Sequence, residues 1–95
     1  MRIVENVVGF EWDDGNRHKS LMKHGVTTAE CEEVFEDDSK VVREDTVHSH
    51  AEARHYLIGR TRSGRVLFVS FTIRKDLIRI ISARPINKKE RHLYE

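Results

Sequence analysis

Apolar residues occur in short groups along the chain, and the spacing inside each group indicates the type of element. Residues 7–12 are rich in β-branched and aromatic side chains, which predicts a first strand. Residues 13–24 predict a helix, because Asp13 or Asp14 can cap its start and Gly25 can end it.

A capping box predicts a second helix. Thr27 and Glu30 have the spacing at which each side chain binds the backbone N–H of the other residue. Cys31, Val34 and Phe35 follow at positions i, i+3 and i+4, so they form one apolar face of an otherwise acidic helix.

From residue 54 onward the pattern is that of strands. Residues 56–58, 66–73 and 77–83 predict three strands, and the short polar segments between them predict antiparallel hairpins with 66–73 in the centre. The run 66–73 is almost continuously apolar, which is typical of a strand covered on both faces. Val41 and Val42 can begin a further strand, and residues 45–53 are polar enough for a loop.

A closing helix is predicted over residues 88–94, because Asn87 and Glu90 again have cap spacing. The order of a strand, two helices, a meander of strands and a last helix predicts an α+β fold with a mainly antiparallel sheet. We expect residues 1–95 to form a single domain around one modest core.

Composition narrows the class of protein. Of the 95 residues, 38% are apolar and 35% are charged, which predicts a thin core under a strongly solvated surface. No apolar run approaches the ~18 residues that a membrane span needs. The single cysteine, Cys31, excludes an intrachain disulfide framework and suits a reducing cytoplasm, and its expected burial makes it a poor nucleophile.

The charges are strongly polarised along the chain. Residues 30–45 carry eight acidic and two basic side chains, whereas residues 54–95 carry eight arginines, three lysines and three acids. A basic half of this kind favours an anionic partner, either a nucleic acid or an acidic protein surface. Alternatively, these residues simply solvate the outer face of a sheet.

Arginines are the most prominent candidates for binding. Five of them lie on or beside the three predicted strands: Arg54, Arg60, Arg74, Arg79 and Arg84. A guanidinium group can bind a phosphate through two N–H donors, although each arginine could instead pair with a carboxylate of the acidic helix. Arg79 and Arg84 are an odd number of residues apart, so they point to opposite faces unless a bulge or the strand end intervenes.

Histidines are the second group of candidates. The chain has six, and imidazole is the side chain best suited to proton transfer near neutral pH. His24 lies beside Lys23 at the end of the first predicted helix. His48, His50 and His55 raise the alternative of a metal site, although the first two lie in a predicted loop.

Several segments resemble the BrnT family of bacterial ribonuclease toxins. They are residues 10–13 (FEWD), 23–26 (KHGV), 64–69 (GRVLFV), 71–74 (FTIR), 79–84 (RIISAR), and Glu90-Arg91 with Tyr94. The resemblance implies a RelE-like fold and the toxin role in a type II toxin–antitoxin pair. It also implies a metal-independent endoribonuclease without a cofactor, which cleaves RNA in the cytoplasm to inhibit translation and growth.

The resemblance further implies a site and partners. Catalysis is assigned to Lys23, His24, Arg74, Arg84 and Tyr94, with Arg79 and Glu90 in reserve. RNA binding is assigned to Arg54, Arg60, Arg79 and Lys88. Cleavage without a metal needs a base for the 2′-hydroxyl, cations for the phosphate and an acid for the leaving oxygen. The expected partners are RNA and a BrnA-like antitoxin, in a homodimer or a toxin–antitoxin heterotetramer.

Two alternatives remain open from the residues alone. In the first, the arginines of a non-catalytic nucleic-acid- or protein-binding module hold phosphates without cleaving them. In the second, a metal-dependent hydrolase uses the histidines at positions 48, 50 and 55.

Overall fold

A computed structural model of the chain describes residues 8–94. Its elements are β1 (Gly9–Glu11), α1 (Lys19–His24), α2 (Thr28–Glu33), a first 3₁₀ helix (Val34–Glu36), β2 (Val41–Glu44), β3 (His55–Arg60), β4 (Val66–Arg74), β5 (Leu77–Pro85) and a C-terminal 3₁₀ helix (Lys88–Leu93). None of the helices in this part of the chain is long and apolar enough to cross a membrane.

The strands form one mixed sheet in the order β1-β5-β4-β3-β2. Strands β2 to β5 are antiparallel to their neighbours, and only β1 runs parallel to its partner β5. The predicted α+β class is therefore confirmed, as are the three consecutive antiparallel strands with 66–73 in the centre. Residue 7 of the predicted first strand lies outside the described residues.

One face of the sheet carries the core. Leu57, Val69 and Phe71 are fully buried there under Cys31 and Val34, which α2 and the first 3₁₀ helix supply. We call this the core face and the opposite one the open face. The apolar side of the second predicted helix is thus confirmed, although its last turn tightens into a 3₁₀ helix at Val34.

Three of the predicted helix ends are confirmed, and the predicted start of the first helix is wrong. Both bonds of the Thr27–Glu30 capping box are present, both bonds of the Asn87–Glu90 box are present, and Gly25 ends α1 at a φ of 67°. However, α1 begins at Lys19 and not at residue 13. The Asp13 carboxylate instead binds the backbone N–H groups of the turn that follows it, so it cannot cap a helix.

The closing segment is helical over Lys88–Leu93 but is a 3₁₀ helix. Its backbone bonds run from Glu90 to Asn87 and from Tyr94 to Arg91, three residues apart. None of its residues is buried, so no packed face draws the segment into a regular α-helix.

The prediction that residues 66–73 are covered on both faces is wrong for residues 66–70, whereas Thr72 is buried on the open face. In β4, Leu67 and Val69 are fully buried on the core face, but Phe68 and Ser70 are only half-buried on the open face. Phe68 stacks on Tyr56 of β3, with ring centroids 5.0 Å apart. An apolar residue on the open face is therefore stabilised by a cross-strand ring and not by a covering helix.

A β-bulge, the exception named in the sequence prediction, places two arginines of β5 on one face. Ser82 pairs with Ser70 but Ile80 pairs with Phe71, so Ile81 is an extra residue in β5. Ile80 and Ala83 both enter the core. Arg79 and Arg84, the residues next to them, therefore both lie on the open face.

Candidate functional site

Two adjoining cavities lie on the open face, and both are lined by Ser82 and Arg84 of β5. The first, of about 400 Å³, lies between β5 and α1, and we call it the helix groove. The second, of about 330 Å³, lies between the sheet and the loop of residues 45–54, and we call it the loop groove. Arg84 is thus the boundary between two parts of one continuous surface.

Two buried polar side chains, one in α1 and one in the turn before it, bind β5. Ser20 Oγ accepts a hydrogen bond of 2.8 Å from the Ala83 N–H, and the Asn16 amide donates one of 3.0 Å to the Ile80 carbonyl. These bonds satisfy backbone groups of β5 beyond the end of the short strand β1. They fix the helix so that Lys23 and His24 line the helix groove.

Arg84 is held in one orientation. Its two terminal nitrogens each bind a carboxylate oxygen of Glu90 at 2.7 Å, and its guanidinium carbon lies 4.5 Å from the centre of the Phe68 ring. The hydrogen bonds to Glu90 raise the pKa of Arg84 and lower the pKa of Glu90. Among the described contacts Nε and one N–H of Nη2 are unused, so donors remain for an anion.

The loop groove contains a second cation, Arg54. No carboxylate of residues 8–94 forms a salt bridge with this side chain. Its Nε is buried and has no hydrogen-bond partner in the same part of the chain. A buried donor of this kind is costly unless it has a partner, so it is suited to a bound anion.

Tyr94 lies in a different cavity from Arg84. It lines a space of about 410 Å³ together with Arg60, whose guanidinium carbon is 5.6 Å from the Tyr94 ring centre. The Tyr94 hydroxyl donates a hydrogen bond to Asp37, and burial followed by this bond raises the pKa of Tyr94. The structure therefore separates Tyr94 from Lys23, His24 and Arg84.

The other predicted cations lie away from both grooves. Arg74 is at the end of β4 and binds Glu52 at 2.7 and 2.9 Å. Arg79 binds Glu11 at 3.0 Å and Asp13 at 2.8 Å. Lys88 is exposed at the start of the C-terminal 3₁₀ helix.

The histidines of the metal alternative have separate environments. His48 binds Asp45, whereas His55 is buried with its ring centre 5.5 Å from that of Phe71, and this burial lowers the pKa of His55. Within residues 8–94, no three His, Cys, Asp or Glu side chains are arranged to hold a metal ion. Cys31 is buried, which raises its pKa to about 12.

Sequence reasoning missed several residues that build the site. Asn16 and Ser20 position α1, Phe68 supports Arg84, and Asp45 orients His48. The sequence contained two signals for these residues: a polar residue on the inner side of a helix, and a carboxylate three positions before a histidine. Both patterns are common in proteins, so neither identifies a site residue unless the fold is known.

A protein-family model matches most of the chain. The model of the family described as "Ribonuclease toxin, BrnT, of type II toxin-antitoxin system" matches residues 12–90. No curated protein matches the chain significantly.

Proposed function

Because the chain belongs to the BrnT family of ribonuclease toxins of type II toxin–antitoxin systems, we propose that it is a metal-independent endoribonuclease. In this proposal it has a RelE-like fold over residues 1–95 and cleaves RNA to inhibit translation and growth. The observation that carries the proposal is the position of Arg84, which lines two adjoining grooves and retains free donors between them.

The proposed catalytic set is Lys23, His24 and Arg84, which line the helix groove. Arg84 and Lys23 stabilise the phosphate as negative charge develops on its oxygens. His24 is a suitable group for proton transfer, because imidazole can both accept and donate a proton near neutral pH.

The remaining candidates have secondary roles in the proposal. Arg54 binds the RNA backbone in the loop groove, and Arg60 with Tyr94 contacts a more distant part of the strand. Lys88, exposed at the start of the C-terminal 3₁₀ helix, adds positive charge for RNA binding. Arg74 and Arg79 are left out of the catalytic set, because carboxylates occupy both and they line neither groove.

The test is cleavage of a labelled RNA by the purified protein, with and without a chelator. We expect cleavage in the presence of the chelator and products with a 2′,3′-cyclic phosphate and a 5′-hydroxyl. Loss of cleavage on chelation would refute a metal-independent reaction. Binding of the RNA without any cleavage would support the alternative of a non-catalytic binding module, which the stacked Tyr56 and Phe68 rings beside Arg84 favour.

The family also implies an antitoxin as partner. We propose that a BrnA-like antitoxin neutralises the toxin by covering the two grooves with acidic side chains, in a heterotetramer that contains two toxin chains. Light scattering on the co-purified complex measures its mass. Protection of Lys23 from amine labelling in that complex, but not in the toxin alone, tests the location.

A further inference from the structure

A second histidine, on the loop of residues 45–54, lines the same groove as Arg84. The base of this loop is closed because Asp45 N–H donates to the Arg54 carbonyl at 2.7 Å. Ser49 Oγ donates to the Asp45 carbonyl at 2.7 Å and accepts from Arg54 N–H at 2.9 Å. The loop is therefore held by its own hydrogen bonds, and it presents His48 to the loop groove.

The orientation of the His48 ring is fixed by Asp45. Nδ1 of His48 lies 2.9 Å from Oδ2 of Asp45. Burial raises the pKa of this carboxyl group, but the hydrogen bonds from His48 and the nearby positive charges together outweigh that effect, so the pKa lies below its ordinary value. The carboxylate is therefore ionised at neutral pH and only accepts hydrogen bonds, so Nδ1 carries the proton and Nε2 of the neutral ring is an acceptor.

We propose that His48 is the general base of the RNA cleavage proposed above, that Asp45 is its positioning residue, and that Arg84 lies between His48 and His24. This inference rests on the proposed function. Two facts carry it: the His48–Asp45 pair lines the same groove as Arg54 and Arg84, and the His48 side chain is 59% exposed, so a substrate can reach Nε2.

The reaction follows from this arrangement. His48 Nε2 takes the proton of the 2′-hydroxyl while that oxygen forms a bond to phosphorus. The bond from phosphorus to the 5′ oxygen breaks, its electron pair stays on the 5′ oxygen, and His24 donates a proton to that oxygen. Arg54 and Arg84 bind the phosphate oxygens, and water then returns the two histidines to their starting protonation states.

The contact between His48 and Asp45 contributes little to the stability of the fold. The His48–Asp45 pair is a local contact three residues apart on an exposed loop, and such pairs contribute little to stability. The charged groups that line the groove with His48 are Asp45, Arg54 and Arg84, the last of which is paired with Glu90. A change at His48 therefore tests chemistry with little effect on folding.

The central variant is His48→Gln, and its matched control is His50→Gln, an exposed histidine two positions further along the loop. Cleavage of an RNA oligonucleotide is measured from pH 5 to 9, and binding is measured with a 2′-O-methyl analogue that cannot be cleaved. We expect His48→Gln to lower kcat about 100-fold or more, to change binding less than about 3-fold, and to lose the acid limb of the kcat profile. His50→Gln is expected to stay within about 2-fold of wild type.

A His48→Gln protein that cleaves within about 3-fold of wild type, with an unchanged pH profile, would overturn the assignment while leaving the proposed function intact. An equal loss in both variants would also overturn it, because the loop as a whole would then be responsible. If the wild-type protein cleaves no RNA, the proposed function fails and this inference fails with it.

Asp45→Asn tests the positioning role. The amide is close in shape to the carboxylate, but it no longer requires the tautomer that leaves Nε2 free. We expect kcat to fall about 10-fold with KM unchanged, and the double variant with His48→Gln to be no slower than His48→Gln alone. Additive losses in the double variant would show that Asp45 acts independently of His48 and would refute the pairing.

Discussion

Arg84 combines a fixed orientation with unused donors. Glu90 holds the terminal nitrogens, and the Phe68 ring supports the flat face of the group. A guanidinium that is already ordered loses little conformational entropy when it binds a phosphate. The same carboxylate reduces the net charge at this point, so the contact depends on geometry more than on long-range attraction.

We expect Arg84→Ala to lower RNA cleavage by about 100-fold or more, the effect of removing one preorganised donor. The loss of the ion pair and of the contact with Phe68 costs about 1–2 kcal/mol of stability. The matched control is Arg62→Ala, which removes a salt bridge of 3.0 Å to Glu36 that lies outside both grooves. Thermal unfolding and cleavage are measured on both, and an active Arg84→Ala protein would make Arg84 a structural residue.

Glu90 gives a prediction for pH. Its pKa is lowered in the folded state by Arg84, so its charge stabilises the fold above the ordinary pKa of 4.5, and this contribution is lost as pH falls through the folded-state pKa. We expect wild type to be more stable than Glu90→Gln at pH 7 and the difference to shrink as the pH falls below 4.5. Thermal unfolding of both proteins across the acid range tests it, and a difference that does not shrink with falling pH would exclude the charge as its cause.

Among the elements, the first 3₁₀ helix lies directly on β3 at Gly59. A Cβ atom at this glycine would come within 2.7 Å of the Val34 carbonyl oxygen and 3.1 Å of the Val34 Cβ. The absence of a side chain therefore sets how closely the helical layer approaches the sheet.

Gly59→Ala is expected to destabilise the protein by about 1–3 kcal/mol, because the added methyl group forces backbone apart in a packed core. The matched control is Gly9→Ala in β1, where the nearest neighbour of a new Cβ is a leucine side-chain atom at an ordinary 3.6 Å. Chemical denaturation measures both. Equal stabilities of the two variants would contradict the close approach at Gly59.

Elements with strong local signals were predictable, and those that depend on distant partners were not. The Thr27–Glu30 box and the alternating strands follow from nearest-neighbour chemistry. The predicted start of α1 was wrong because the Asp13 carboxylate binds its own turn and Arg79, which lies 66 residues away. The bulge at Ile81 has no local signal, since it depends on how β5 pairs with β4.

On the scale of the whole molecule, the positive charge of the second half is partly neutralised, since five of its eleven basic side chains are paired. Within residues 8–94 five arginines form salt bridges with carboxylates, namely Arg62, Arg65, Arg74, Arg79 and Arg84. The number of basic side chains in this half follows directly from the sequence. The sequence could not predict which cations remain available, because that depends on which carboxylates the fold brings near them.

The salt dependence of RNA binding measures the number of available cations. If about three of them contact phosphates, the slope of log K against log salt is about −2, whereas eleven free cations would give about −8. We expect the shallow slope for a 2′-O-methyl oligonucleotide between about 50 and 200 mM salt. A slope steeper than about −5 would mean that the ion pairs open when RNA binds.

The extra residue in β5 also determines where this sheet can change in length. If Ile81 is deleted, β5 becomes a regular strand and Arg79 and Arg84 are an even number of positions apart, so every later side chain keeps its present face. Deletion of Ser70 in β4, which has a partner in the ladder, turns the residues that follow it toward the wrong face. In the natural variation of such chains, we expect a gap of one residue to be tolerated at position 81 and rejected at position 70.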